Sequence, residues 1–83
     1  GARLNRANLT EATFQGANLT EANLLGTNLT SASLAGALLI KANLSGANLT
    51  ATTLKDADID GTVLEGATFS ETVMPDGTVR TES

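Results

Sequence analysis

The chain has 83 residues, a formal net charge of −4 at pH 7, and no cysteine, histidine, tyrosine or tryptophan. This length fits one small domain, and without cysteine there is neither a disulfide framework nor a thiol site. Without histidine a Ser-His-Asp arrangement is impossible, and the lack of a basic stripe with stacking aromatic residues argues against direct nucleic-acid binding.

A large apolar residue stands at every fifth position, and Ala or Thr stands two residues before each of them. On an α-helix this spacing would scatter the large residues around the axis, and on a straight strand it would place them on alternating faces. Short extended stretches separated by bends satisfy the pattern, because the small and the large residue of each stretch then both point inward. Such repetition is typical of a solenoid. The large residues are Leu4, Leu9, Phe14, Leu19, Leu24, Leu29, Leu34, Leu39, Leu44, Leu49, Leu54, Ile59, Leu64, Phe69 and Met74.

Glycine follows the large residue by two positions at several bends, and these glycines are Gly16, Gly26, Gly36, Gly46, Gly61 and Gly66. A type II turn needs a positive φ at its third residue, which glycine adopts without steric cost. The other bends carry Arg6, Glu11, Glu21, Ser31, Lys41, Ala51, Asp56 and Glu71 at this position. We expect a different turn there, so that the bends alternate in type.

Segments such as Ala17-Asn18-Leu19-Thr20-Glu21 and Ala47-Asn48-Leu49-Thr50-Ala51 match the consensus A-(D/N)-L-x-x. Over residues 2–74 the chain therefore resembles the pentapeptide-repeat family. The resemblance implies an all-β fold, a right-handed four-sided β-helix with roughly twenty residues per coil and about four coils. We expect the β-helix to occupy residues 1–74 and a turn or cap with a tail to occupy residues 75–83.

With four sides, residues twenty apart should stack into inward columns at the spacing of neighbouring strands. The inward Thr27, Thr52, Thr62 and Thr72 then need hydrogen-bond partners, for which nearby backbone is the natural source. Asn8, Asn28 and Asn48 also lie twenty apart, and we expect them to stack as an amide ladder with a structural role.

The two ends of the chain differ in charge and in turn signals. Residues 1–55 carry four basic and two acidic side chains, whereas residues 56–83 carry seven acidic side chains and one basic side chain. Pro75-Asp76-Gly77 is a strong turn signal that should end the ladder, and the tail from Thr78 should fold over or fray. The N-terminal coil has no comparable device, so we expect any end-to-end self-association to use it. The segment Met74–Thr78 is also similar to the tail of cyanobacterial and chloroplast family members.

The acidic segment contains Asp56-x-Asp58-x-Asp60-Gly61, which is similar to the start of a calcium-binding loop. The glutamate that such a loop requires is replaced by Ala67, and Ala57 and Ile59 keep the inward register that a calcium loop would break. We therefore predict no metal site and no cofactor. Asp56, Asp58, Asp60 and Glu65 are either a solvated face or an acidic contact face for a basic partner.

Leu38 stands where the repeat prefers Asn or Asp, and Ile40 follows the inward Leu39; Leu25 is a further outward apolar residue on an adjoining face. Such a patch can mark a protein contact, although scattered surface apolar residues are ordinary. The sequence predicts a protein that is not an enzyme, a solenoid that serves as a structural or protein-interaction module with an unknown partner.

The alternative, which the family resemblance implies, is a DNA mimic that binds DNA gyrase, although the modest acidity of this chain departs from that pattern. No apolar run approaches the length of a membrane span, and no signal peptide is visible. The chain opens in register, so we expect that an upstream segment has been removed. The location is then either the cytoplasm or, if that segment was a signal, the periplasm or thylakoid lumen.

Overall fold

Residues 3–81 are described by the computed structural model. The backbone winds so that parallel bridges join residues twenty apart, as in Asn8 with Asn28 and Asn28 with Asn48. The Leu9 N–H donates to the Asn28 carbonyl at 2.8 Å, and the Asn28 N–H donates to the Ala7 carbonyl at 3.0 Å. Bridges recur every five residues, so each coil has four bridged sides. The predicted twenty-residue repeat of the backbone is thus present.

The bends share one conformation, and the expectation of alternating turn types was wrong. At each bend from Leu4–Ala7 to Leu64–Ala67, the fourth residue's N–H donates to the first residue's carbonyl. The third residue has a positive φ whether it is glycine, as at Gly36 (67°), or not, as at Arg6 (63°) and Ala51 (57°).

Stacking between coils explains why non-glycine residues accept this conformation. From Arg6 to Asp56, the third residue of each bend also donates its N–H to the following part of the stack, as from Arg6 to the Leu25 carbonyl at 2.7 Å. Because that bond exists only when the bends superimpose, the position in the stack outweighs the local preference of an L-residue against positive φ.

The asparagine side chains bond within their own coil, so the expected amide ladder was wrong. The Asn8 Oδ1 accepts from the N–H and the hydroxyl of Thr10 at 3.2 and 2.6 Å. The same paired bonds occur at Asn18, Asn28 and Asn48. Among residues 3–81 no hydrogen bond joins the amides of neighbouring coils. Asn8, Asn18, Asn28 and Asn48 instead accept from the residue two positions on, which is a typical local use of this side chain before a turn.

The core consists of the inward leucine columns, and within residues 3–81 no helix covers either end of it. Leu24, Leu29, Leu34, Leu39, Leu44, Leu49 and Leu54 are fully buried. The end residues Leu4, Leu9, Phe14, Ile59, Leu64 and Met74 are only partly buried. The inward threonines donate to backbone carbonyls as predicted: Thr52 to Leu29 and Thr62 to Leu39, both at 2.6 Å.

The C-terminal segment folds back as a hairpin. Strand β1 (Thr72–Val73) pairs antiparallel with β2 (Val79–Arg80), with Val73 opposite Val79. The Gly77 N–H donates to the Met74 carbonyl at 2.8 Å, and Gly77 has a φ of 87°. A turn begun by Pro75 and closed by a left-handed glycine is a common hairpin loop.

The hairpin covers part of the last coil. The Arg80 guanidinium lies 3.8 Å from the centroid of the Phe69 ring, a cation–π distance. Phe69 is 3% exposed, in contrast to the other large residues at the ends. The described part of the tail thus folds over the core, and residues 82–83 lie outside the described range.

Candidate interaction surfaces

The apolar residues singled out in the sequence lie on the outer surface of the solenoid. Leu38 is bridged to Asn18 on one side and to Asp58 on the other, and it is 39% exposed. Leu25 is 37% exposed, whereas Ile40 is half-buried. An apolar side chain at the Leu38 position therefore replaces the polar side chains of the coils before and after it.

Val63 is a further exposed apolar residue that the sequence analysis missed. It is 45% exposed and is bridged to Asn43. The signal was present in the sequence, because Val63 precedes an inward leucine at a position where the repeat has Asn, as Leu38 does. Val79 in β2 is also exposed.

The exposed and half-buried apolar residues lie on or next to one side of the solenoid. Arg3, Asn23, Asn43 and Val63 succeed one another along that side. Ile40 lies in the bend by which the chain enters this side, and Leu25 lies in the bend by which it leaves. Leu38 lies on the preceding side. We call Leu25, Leu38, Ile40 and Val63 the apolar border.

The predicted acidic residues are only partly brought together. Asp58 lies on the side that also holds Leu38, and Asp56 and Asp60 lie at the bends before and after it. Glu65 lies beyond the next side, at a separate bend. Lys55 pairs with Asp56 at 3.3 Å, and both side chains are well exposed, so this pair contributes little.

The chemistry of the acidic side is that of exposed carboxylates. Among residues 3–81 no group of three or more Asp, Glu, His or Cys lies close enough together to hold a metal ion. The Asp58 Oδ1 accepts from the Asp60 N–H at 3.1 Å. At the hairpin, the hydroxyl and the N–H of Thr78 donate to Asp76, which lowers the pKa of that carboxyl.

The described part of the chain has no ligand-sized cavity or cleft. The leucines and small residues fill the interior. Over the same residues, there is no helix with the length and apolar character that a bilayer crossing requires. Recognition by residues 3–81 therefore has to use the outer sides, the bends or the ends.

Comparison with known protein families identifies the family of this chain. Eight copies of the family described as pentapeptide repeats match the sequence, over residues 1–34 and 27–66. The chain belongs to the pentapeptide repeat family. Its members fold as right-handed quadrilateral β-helices and are generally structural or interaction modules.

Solved structures of cyanobacterial proteins are similar to the chain. HetL, a pentapeptide repeat protein involved in heterocyst differentiation regulation from Nostoc sp. strain PCC 7120, is 38% identical with a TM-score of 0.91. The match covers 95% of this chain and 37% of HetL. Rfr23 from Cyanothece 51142 is 41% identical with a TM-score of 0.55, covering 83% of this chain and 44% of Rfr23.

The protein alr5209 from Nostoc PCC 7120 is 33% identical with a TM-score of 0.54, covering 78% of this chain and 62% of alr5209. The chain thus spans less than two thirds of each of these three structures. The search of curated proteins gave no match.

Proposed function

We propose that the chain is a non-catalytic module of about four coils that binds a protein partner through its outer surface. The observation that carries the proposal is Leu38, which is exposed at a position that the neighbouring coils fill with Asn18 and Asp58. An exposed apolar side chain of this kind supports a protein contact where further exposed apolar residues lie close to it.

The rest of the apolar border supports the same surface. Val63 and Leu25 are both exposed, and they lie on and beside the side that follows the Ile40 bend. Interface cores are apolar and are surrounded by polar residues. Asn23, Asn43 and Asp58 supply such a polar surround on the same sides.

The rigidity of the surface also supports binding rather than catalysis. Hydrogen bonds between coils hold each side at several points, so its side chains are presented in a fixed array. HetL is involved in regulation, and its likeness to this chain supports, as part of the proposal, a regulatory rather than a metabolic role.

The test is capture of partners from a cyanobacterial extract on the immobilised chain, with a matched control. The control replaces Leu38 with Asn and Ile40 with Thr, the residues found one coil earlier at Asn18 and Thr20. These substitutions keep the repeat, and far-UV circular dichroism would verify the fold. A second control, Asp58→Asn with Glu65→Gln, removes acidic charge.

We expect a protein that binds the natural chain and the acidic control but not the Leu38 and Ile40 control. A partner that is lost only with the acidic control would refute the apolar border and assign recognition to the carboxylates. Absence of any specifically retained protein would count against the interaction module itself.

A further inference from the structure

One side of the solenoid carries charges whose sign alternates from coil to coil. It consists of the bridged residues Arg3, Asn23, Asn43 and Val63 with the bends before and after them, and we call it the alternating side. Along the stack its coils hold in turn basic, acidic, basic and acidic residues. In that order the charged residues are Arg3 and Arg6, then Glu21, then Lys41, then Asp60 and Glu65.

The charged side chains of the alternating side are exposed, and none of them has an ion-pair partner among residues 3–81. Glu21 and Lys41 take the same place in consecutive coils, because each is the third residue of its bend. The Lys41 side chain nevertheless runs along the following coil, since a carbon added at Gly61 would lie 3.2 Å from the Lys41 Cγ. The charges of this side are therefore available to a second molecule.

The alternation is complementary to itself when the order of the coils is reversed. A two-fold axis in the contact plane, perpendicular to the solenoid axis, sets each bend against the same bend of a second copy with the coils in reverse order. Glu21 then faces the partner's Lys41, and Arg6 faces the coil that holds the partner's Glu65. The axis passes between the coils of Glu21 and Lys41, a place that follows from these charges and not from either terminus of the chain.

Apolar residues on the same side add to the contact. Val63 lies on the side itself, and Ile40 and Leu25 lie in the bends before and after it; Val63 and Leu25 are both exposed. Burial of apolar surface attracts without a preferred direction, whereas complementary charges fix the orientation of two partners. The alternating side offers both.

The other sides lack this complementarity. Glu11 and Glu71 are third residues of the same bend in the first and last coils, and that bend borders two sides. Reversal of the coils would set these like charges opposite one another, which is repulsive. On the side that holds Leu38, Asp58 and the acidic bends next to it would face residues 15–21, which include no basic residue.

The area of one side fits a reversible complex. The chain extends over 27 × 22 × 21 Å. One side therefore offers about 450 Å² per copy and about 900 Å² in a pair, below the size of stable complexes and within that of weak ones.

We propose that two copies of the chain associate side by side and antiparallel through their alternating sides, with Glu21 of each copy paired to the partner's Lys41. The inference rests on the proposed function, because it names a second copy of the chain as one partner of the apolar border. Leu38 lies on the preceding side and stays free in this dimer.

Sedimentation velocity measures the association over about 1 µM to about 1 mM of the chain, at about 0.05 M and about 1 M salt. We expect a reversible monomer–dimer equilibrium that is weaker at high salt, because exposed ion pairs are screened. Val63→Asn, which introduces the residue found one coil earlier, should weaken the dimer, whereas Leu38→Asn should not.

Two charge reversals test the antiparallel geometry. Lys41→Glu and Glu21→Lys each set like charges opposite one another in a homodimer, so each variant alone should dimerise about tenfold more weakly or worse. In an equimolar mixture of the two, every facing pair is again one acid and one base, so heterodimers should form. Lys55→Glu and Glu11→Lys are the matched controls, because they change the net charge equally at bends away from the alternating side. Both controls should dimerise as the natural chain does, and far-UV circular dichroism would verify every fold.

A natural chain that stays monomeric up to about 1 mM would overturn the inference. So would a mixture that is no more dimeric than its two components, or controls that are weakened as much as Lys41→Glu. Extract capture that is lost with Leu38→Asn from a monomeric chain would support the proposed function and reject only the second copy as a partner. A dimer with the expected charge dependence, but without any captured protein, would support the dimer and count against a different partner at Leu38.

Discussion

Ala51→Gly should stabilise the protein, although glycine usually destabilises regular structure. Ala51 is exposed and has a φ of 57°. The left-handed conformation costs a non-glycine residue about 1–2 kcal/mol, and the greater freedom of glycine in the unfolded chain offsets about 0.4–1 kcal/mol of the relief. The net expectation is a gain of about 0.5 kcal/mol in the free energy of unfolding.

The reverse change at an equivalent position should destabilise the protein. Gly36 has a φ of 67°, and a methyl group added there would meet nothing within 4 Å. Gly36→Ala therefore carries only the net conformational cost, about 0.5 kcal/mol. At Gly61 the added carbon would lie 3.2 Å from the Lys41 Cγ and 3.7 Å from the Lys41 backbone nitrogen, so Gly61→Ala should cost more than Gly36→Ala.

The assay is equilibrium unfolding in urea followed by far-UV circular dichroism, since the chain has no tryptophan or tyrosine to report by fluorescence. Ala42→Gly is the control, because Ala42 is buried and lacks a positive φ, and it should be destabilised. If Ala51→Gly lowered stability as Ala42→Gly does, the inference that stacking imposes a strained bend on Ala51 would be refuted.

Two further predictions concern the column of inward leucines and the hairpin. Leu44→Ala should lower the free energy of unfolding by about 3 kcal/mol and Leu4→Ala by about half of that, because Leu44 is fully buried and Leu4 of the same column is not. Urea unfolding measures both losses. Equal losses would contradict the inference that burial decreases from Leu44 to Leu4. The Asp76 pKa is lowered from 3.8 by its bonds from Thr78, so the contribution of Asp76 is present above pH 3.8 and is lost as the pH falls through the lowered folded-state value. In an NMR titration the Gly77 amide should report this loss in the natural chain but not in Asp76→Asn, and an identical titration of the two would exclude Asp76 as its source.

The inward residues were predictable because their spacing repeats without interruption. Once Leu24 and Leu44 are placed on one column, burial alone fixes which way each side chain points. The positive φ of Ala51 was not predictable, because local preference opposes it, whereas the bend and the bond to the adjacent coil favour it. The Asn8 bonds were misjudged for a related reason: stacking places Asn8 over Asn28, but the Thr10 hydroxyl competes for the same oxygen.

The candidate surface was predictable in part. Leu38 and Val63 both replace a polar residue of the repeat, but only Leu38 was predicted to be an exposed contact residue. The contact between the Arg80 guanidinium and the Phe69 ring could not be predicted from the five-residue spacing, because the tail departs from that pattern at Pro75. Its course depends on a hairpin whose register is set by the turn.

The twenty-residue bridge spacing also restricts how a chain of this kind can change in length. Removal of one whole coil brings each remaining residue back onto its own side, so the outer sides keep their mutual orientation. Insertion of a single five-residue repeat preserves the inward pattern, but it shifts every later residue to the next side of the solenoid. Such an insertion between Leu38 and Asp58 would move the acidic residues to a different side without disturbing the core. The order of surfaces around the axis is therefore encoded in chain length as much as in residue identity.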